Sequence, residues 1–119
     1  MHYTDQELHQ LAMTTVGKVL EKKGFEFLAI ESGLKKNPQF VCHINKQLAF
    51  VLVKHVCYPD DPETYDTIWM EAMKLHAKSK SAELYFCGVG FGNDDDLSLS
   101  PKKSSNLLVK FSGKIQKIE

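Results

Sequence analysis

The chain has 119 residues, of which 43% are hydrophobic and 25% are charged, and its formal net charge at pH 7 is zero. This length suits one domain over residues 1–119 with a single hydrophobic core. All 15 basic residues are lysine, so the chain lacks the guanidinium fork that binds phosphate and guanine in a bidentate manner. Tight nucleic-acid binding is therefore not expected.

The cysteines and the hydropathy pattern indicate the cellular compartment in which the protein works. Cys42, Cys57 and Cys87 show no paired spacing, which is typical of free thiols under reducing conditions. The first residues carry no signal-peptide pattern, and no apolar run approaches the roughly 20 residues that span a bilayer. We therefore expect a cytoplasmic protein with no membrane contact.

The first predicted element is a helix from about Asp5 to Lys23. The segment Thr4-Asp5-Gln6-Glu7 is a capping box, in which the Thr4 hydroxyl accepts from the backbone of Glu7 and the Glu7 side chain accepts in return. Apolar residues then recur at helical spacing. Gly24 follows as the C-terminal cap, so both ends of this helix are defined by the sequence.

Three strands are predicted next. Phe25–Glu31 and Gln39–Ile44 are separated by the turn Ser32–Pro38, and Asn45-Lys46-Gln47 makes a hairpin with the third strand, Leu48–Val56. The run Leu48–Val53 is the most apolar in the chain. It indicates a central strand that is buried on both faces.

A second helix is predicted over Pro62–Lys78. Asp61 is the expected N-cap, and Pro62 occupies the first helical position, where its missing N–H costs nothing. An apolar stripe that includes Trp69 continues the helix.

Two further strands complete the order α-β-β-β-α-β-β. Ala82–Val89 is predicted to end where Gly88, Gly90 and Gly92 allow a close backbone approach, and Leu107–Ile118 is predicted to bend near Gly113. The fold class is α+β, with a three-layer-like arrangement of one mixed sheet flanked by two helices.

Two stretches carry a resemblance to a known family. Val19-Leu20-Glu21-Lys22-Lys23-Gly24-Phe25 ends the first helix, and Phe50-Val51-Leu52-Val53-Lys54 lies on the central strand. Together with the element order, they resemble the restriction-endonuclease-like, or PD-(D/E)XK, superfamily, and within it a small bacterial family of predicted endonucleases related to Holliday-junction resolvases. The resemblance implies a nuclease-like core in which carboxylates hold Mg²⁺.

The site residues of that family are only partly present. Its lysine falls on Lys54, but its glutamate falls on Leu52, its aspartate near Gln39, and the glutamate of its first helix near Met13. Leucine and glutamine cannot form an anionic cage for Mg²⁺. The resemblance thus implies a degenerate active site with no cofactor, in a protein that works as a binding or interaction module of unknown partner. Lys54 is then a relic or a contact for an anionic ligand.

Two alternatives remain open. The first is an active nuclease with Mg²⁺ as cofactor and relocated carboxylates such as Glu31, in which Lys54 polarises the scissile phosphate. Asp60 and Asp61 are tempting carboxylates, but the helix cap already explains them. The second alternative is an unrelated small α+β domain.

The sequence signals for a cysteine nucleophile or a zinc site are weaker than those for the nuclease-like core. Cys57, with His55 two residues away on the same strand face, is the only plausible nucleophilic pair. A zinc site from His43, His55, Cys42 and Cys57 lacks the usual ligand spacing, so solvent-facing or hydrogen-bonded histidines are expected. The run Asp94-Asp95-Asp96 is expected to form a solvated turn rather than a Ca²⁺ site.

The last strand is studded with lysines. Lys110, Lys114 and Lys117 indicate a sheet edge protected by charge. The alternative is a docking edge for a second copy, which would make the protein a homodimer.

Overall fold

A computed structural model describes residues 1–34 and 36–119. Over these residues the chain has the predicted α+β fold, with two helices and a six-stranded mixed sheet. In chain order the elements are α1 Asp5–Lys22, β1 Glu26–Ile30, β2 Phe40–Ile44, β3 Gln47–Cys57, α2 Thr67–Ser79, β4 Glu83–Asn93, β5 Leu107–Lys110 and β6 Gln116–Ile118.

The sheet is organised around β3. Its strands follow the order β1-β2-β3-β4-β5, and β6 pairs with the other end of β4. The pairs β1–β2 and β2–β3 are antiparallel, whereas β3 and β4 are parallel. A parallel pair needs a crossover connection, and the segment that contains α2 provides it.

Alternating side chains of β3 enter two separate cores, which confirms the expected burial of this strand on both faces. Ala49, Val51 and Val53 pack on the face covered by α1. Phe50 and Leu52 pack on the opposite face, with residues of α2. The helices therefore lie on opposite sides of the sheet, as three layers require.

The capping box of α1 is confirmed. The Thr4 hydroxyl accepts a hydrogen bond from the Glu7 backbone N–H at 3.1 Å, and the Glu7 carboxylate accepts from the Thr4 N–H at 2.9 Å. This reciprocal pair fixes where the helix begins.

The start of the second helix was wrongly predicted. Asp61 is not its N-cap: the carboxylate of Asp61 accepts from the Glu63 N–H inside a turn, and Asp66 caps α2 instead. The reason is tertiary, because the segment 58–66 first crosses β4. There the Pro62 carbonyl oxygen lies only 1.6 Å from where a Cβ on Gly88 would be, so the strand must lack a side chain at that position.

The strand β4 is longer than predicted because its second half pairs with β3 and β5. Gly88, Gly90 and Gly92 do not end the strand, which continues to Asn93. The expected close backbone approach is present, with Pro62 lying against Gly88 and Gly90. The glycines provide a flat strip on which another segment rests.

The last predicted strand is two strands. β5 and β6 are separated by residues 111–115, in which Gly113 has a φ of +81°. The strand β5 pairs with residues 90–93 of β4, and β6 pairs with residues 84–86 of β4. The bend expected near Gly113 is therefore a complete break, after which the chain pairs with β4 a second time.

Two further points concern the whole chain. The predicted turn Ser32–Pro38 includes Lys35, which lies outside the described residues. Over the ranges that are described, neither helix has the length and hydrophobicity to cross a lipid bilayer.

Candidate functional site

Gln39 is the residue that stands where the resemblance expects an aspartate. It precedes β2 and is only 1% exposed. Its amide nitrogen donates to the Lys36 carbonyl at 2.7 Å and to the Asn37 side-chain oxygen at 2.6 Å, while its amide oxygen accepts from the Val53 N–H at 2.7 Å. Both N–H groups and the oxygen are thus committed. Gln39 ties the connection before β2 to the central strand.

Leu52 and Met13 occupy the two positions where the resemblance expects glutamates. The β2–β3 register pairs Phe40 with Val51, so one residue further along it places Gln39 opposite Leu52. Leu52 is buried in the core on the α2 face, and Met13 is buried in the core on the α1 face. These positions contribute apolar packing and lie on opposite sides of the sheet.

Lys54 is the matching residue, and its ammonium group lies against an aromatic ring. Its Nζ is 4.7 Å from the centre of the Trp69 ring on α2. Such a cation–π contact is worth about 0.5–2 kcal/mol, depending on desolvation. Within residues 1–34 and 36–119, no carboxylate forms an ion pair with Lys54.

Glu31, the candidate for a relocated carboxylate, lies just after β1, at the surface. Its side chain accepts from the Gly33 N–H at 3.1 Å, and its own N–H donates to the Gln39 carbonyl at 2.8 Å. Glu31 is thus next to the backbone of Gln39. In the part of the chain that is described, no three His, Cys, Asp or Glu side chains are placed to hold a metal ion.

The Cys57 and His55 pair lies at the carboxyl end of β3. Burial, followed by the nearby charges of Asp5 and Asp60, raises the pKa of the Cys57 thiol. A raised pKa keeps the thiol protonated, which is the opposite of what a nucleophile needs. His55 instead contacts Asp5, with Nε2 3.5 Å from the carboxylate oxygen.

The four candidate zinc ligands are not brought together. His43 and Cys42 pair with Leu48 and Ala49, near the start of β3, whereas His55 and Cys57 lie at its far end. The alternation of the strand and its length keep the two pairs apart.

The sequence interpretation missed His9. This histidine of α1 is 2% exposed, its Nε2 has no hydrogen-bond partner among the described residues, and its ring centre is 6.1 Å from that of His55. Its position four residues before Met13 and seven before Val16 is a helical spacing that indicates burial. Burial, followed by the charges of His55 and Lys54, lowers the pKa of His9.

The acidic turn after β4 is held by an asparagine. Buried Asn93 donates to the Leu99 and Ser100 carbonyls at 3.1 and 2.6 Å and accepts from the Lys102 N–H at 2.7 Å. Asp96 accepts from the Ser98 N–H at 3.0 Å. These bonds make the region a self-supporting loop, and its aspartates are exposed.

A pocket of about 590 Å³ opens at the carboxyl ends of the parallel strands β3 and β4. Ligands in open sheets with parallel strands commonly bind at this end, and the volume lies in the range of small-molecule sites. Gly90 and Gly92 form part of its floor, because they carry no side chains to fill it. Its walls come from the segment after β3, from the loop after β4 and from β5, and include Tyr58, Asp60, Asp61, Leu97, Leu108 and Lys110.

The pocket lining is apolar with charges at its rim. Tyr58, Leu97 and Leu108 are partly exposed apolar groups. Asp60 and Lys110 bring charges of opposite sign, and neither makes a side-chain hydrogen bond or ion pair with a described residue. The signal that could have located this pocket is the glycine alternation on β4, which the sequence interpretation treated as the end of the strand.

Comparison with known proteins assigns the family. No curated protein and no solved structure matches this chain. The model of a domain of unknown function, DUF8840, matches residues 6–118, which is nearly the whole chain and covers every element of the fold apart from the first residue of α1. The chain therefore belongs to the DUF8840 family.

Proposed function

We propose that this chain is a non-catalytic binding module on a nuclease-like core, formed as one unit over residues 1–119. The observation that carries the proposal is the engagement of Gln39, whose donors and acceptor all serve the framework. A metal-binding carboxylate at that position would replace two donated hydrogen bonds with repulsion between oxygens. The site has been converted from a metal cage into a structural joint.

Three features support the nuclease-like core. The elements α1 to β4 follow the order α-β-β-β-α-β of the resemblance. The register sets Gln39 opposite Leu52, and Lys54 follows two residues later on the same face of β3. The three strand positions of the resemblance are thus neighbours in space, whereas the fourth, Met13, lies on the other side of the sheet.

The pocket at the carboxyl ends of β3 and β4 is the binding site we propose. Its lining suits a compact, largely apolar ligand with a cationic group at one end and an anionic group at the other. Asp60 and Lys110 would each meet the group of opposite charge, and Tyr58 and Leu108 would contact the apolar body. The net charge of zero and the absence of arginine argue against a nucleic acid as the partner.

The three cysteines support a cytoplasmic location in this proposal. Cys42, Cys57 and Cys87 are free thiols, and two of them are buried. Free thiols of this kind are typical of proteins that work in reducing compartments.

The alternative is an active nuclease that uses Glu31, which lies beside Gln39. Titration of Mg²⁺ and Mn²⁺ by calorimetry, with a branched-DNA cleavage assay alongside, separates the two functions. We expect neither binding nor cleavage, and no difference between the wild type and the Lys54→Ala and Glu31→Ala variants. Metal binding together with cleavage that either substitution abolishes would establish the nuclease instead.

A stability measurement tests the structural role of Gln39. The Gln39→Ala variant leaves the buried Val53 N–H without a partner, so its free energy of unfolding should fall by about 1–3 kcal/mol. Gln10→Ala, an exposed position on α1, is the matched control and should change little. Equal stability of the two variants would show that Gln39 is not a joint.

A further inference from the structure

The outward face of α2 carries an apolar stripe that no described residue covers. Ile68 is 82% exposed and Leu75 is 69% exposed, and Ala72 is exposed between them. Their spacing of four and three residues places all three on one line along the helix. The inward line of the helix is occupied by Met70 and Ala77, so the stripe is a second, separate apolar surface.

The exposed area of the whole chain is larger than the average scaling for monomers gives for this mass. The accessible surface is 7212 Å² for a mass of 13.5 kDa. The usual scaling for monomeric proteins gives about 6,500 Å² for this mass, which leaves an excess of roughly 700 Å². Each partner in a protein–protein interface of standard size loses about 800 Å². The excess over the whole chain is of the same order as the area that one partner loses in a dimer interface.

The stripe is complementary to itself. Its large residues, Ile68 and Leu75, stand at the two ends, and the small Ala72 stands near the midpoint. When two such helices approach in antiparallel orientation about a two-fold axis, Ile68 of one copy meets Leu75 of the other. Ala72 then lies close to the axis, where a small side chain permits close packing. A formal net charge of zero adds no repulsion between copies.

We propose that the chain forms a two-fold homodimer through the outward face of α2, with the two helices antiparallel. This interface differs from the lysine-rich last strand, where the sequence alone located the possible dimer contact. It is also separate from the pocket and does not depend on the ligand or on the loss of catalysis. The occupant of the exposed stripe is a second copy of this chain.

Analytical ultracentrifugation at protein concentrations of about 5–200 µM tests whether this surface mediates dimerisation. We expect a concentration-dependent dimer whose dissociation constant rises at least roughly tenfold in Leu75→Lys and in Ile68→Lys. The matched control is Leu108→Lys, a similar change at an exposed leucine of β5, which should leave dimerisation unchanged. Circular dichroism verifies that each variant is folded. A wild type that stays monomeric throughout, or dissociation by Leu108→Lys alone, would overturn the proposal.

Cross-linking tests the antiparallel arrangement. In a Cys57→Ser background, Ala72→Cys should form a disulfide-linked dimer under mild oxidation, because this position lies near the two-fold axis. Thr14→Cys, an exposed position on α1, should remain monomeric. Dissociation by the α2 variants without any cross-linking at position 72 would contradict the proposed orientation.

Discussion

The two helices cover opposite faces of one sheet, and they do so unequally. α1 buries six residues along its length: Leu8, His9, Ala12, Met13, Val16 and Leu20. α2 buries only Met70 and Ala77 and leaves Ile68 and Leu75 mostly exposed. The comparison shows that hydrophobic stabilisation is concentrated on the α1 face, whereas apolar side chains on α2 remain available for contacts outside the chain.

The α2 face also carries features on which the proposed function rests. The Lys54 ammonium contacts Trp69 there, and the segment that crosses β4 lies on Gly88 there. The pocket opens beyond this crossing, over Gly90 and Gly92. The α1 face thus holds the larger core, and the α2 face combines a smaller core with a lysine, a pocket and an exposed helix surface.

Truncation of one leucine on each helix should give the largest contrast. Leu20→Ala opens a cavity at a fully buried position and should lower the free energy of unfolding by about 2–5 kcal/mol. Leu75→Ala removes an exposed side chain and should change it by less than about 0.5 kcal/mol. Chemical denaturation at a concentration where the protein is monomeric measures both values. Similar losses in the two variants would mean that α2 packs as closely as α1.

Two glycines offer a second contrast between the faces. Gly88→Ala places a methyl group against the Pro62 carbonyl and should destabilise the protein by roughly 1–3 kcal/mol or more. Gly17→Ala, on α1, meets Phe40 at an ordinary 3.5 Å and should stabilise the helix by about 0.5–1 kcal/mol. Thermal and denaturant unfolding measure the loss of stability in the first variant and the gain in the second. A neutral Gly88→Ala would show that the crossing segment is not held against β4.

Local signals predicted the elements whose causes are local. The capping box located the start of α1, and the continuous apolar run located β3 between two cores. The Asp61–Pro62 pair gave an equally clear helix start, but it was wrong. The Pro62 backbone lies against Gly88, and that contact between distant parts of the chain overrides the local preference.

The sequence could single out positions 39 and 52, but it could not predict the hydrogen bonds of Gln39 or the pocket. The spacing of the resemblance identified Gln39 and Leu52, and the register places them opposite each other. The hydrogen bonds of Gln39 depend on how the backbone at Lys36 and Asn37 folds back, which periodicity does not encode. The pocket likewise depends on the crossing of β4, and so it was not foreseen.

The buried histidine of α1 provides the smallest test of the comparison. The lowered pKa of His9 means that the unfolded chain binds a proton near the ordinary value of 6.5, while the folded chain resists it. Stability should therefore fall as the pH drops from the unfolded value of 6.5 to the lower pKa of the folded chain, with a slope of at most about 1.4 kcal/mol per pH unit for one proton. His9→Leu should flatten the dependence, and the exposed control His2→Gln should keep it. Urea denaturation between pH 5 and 8 measures these slopes over the pH range in which histidines titrate. A wild-type slope that His9→Leu leaves unchanged would place the acid sensitivity elsewhere, and the α1 core would then have no titratable weak point.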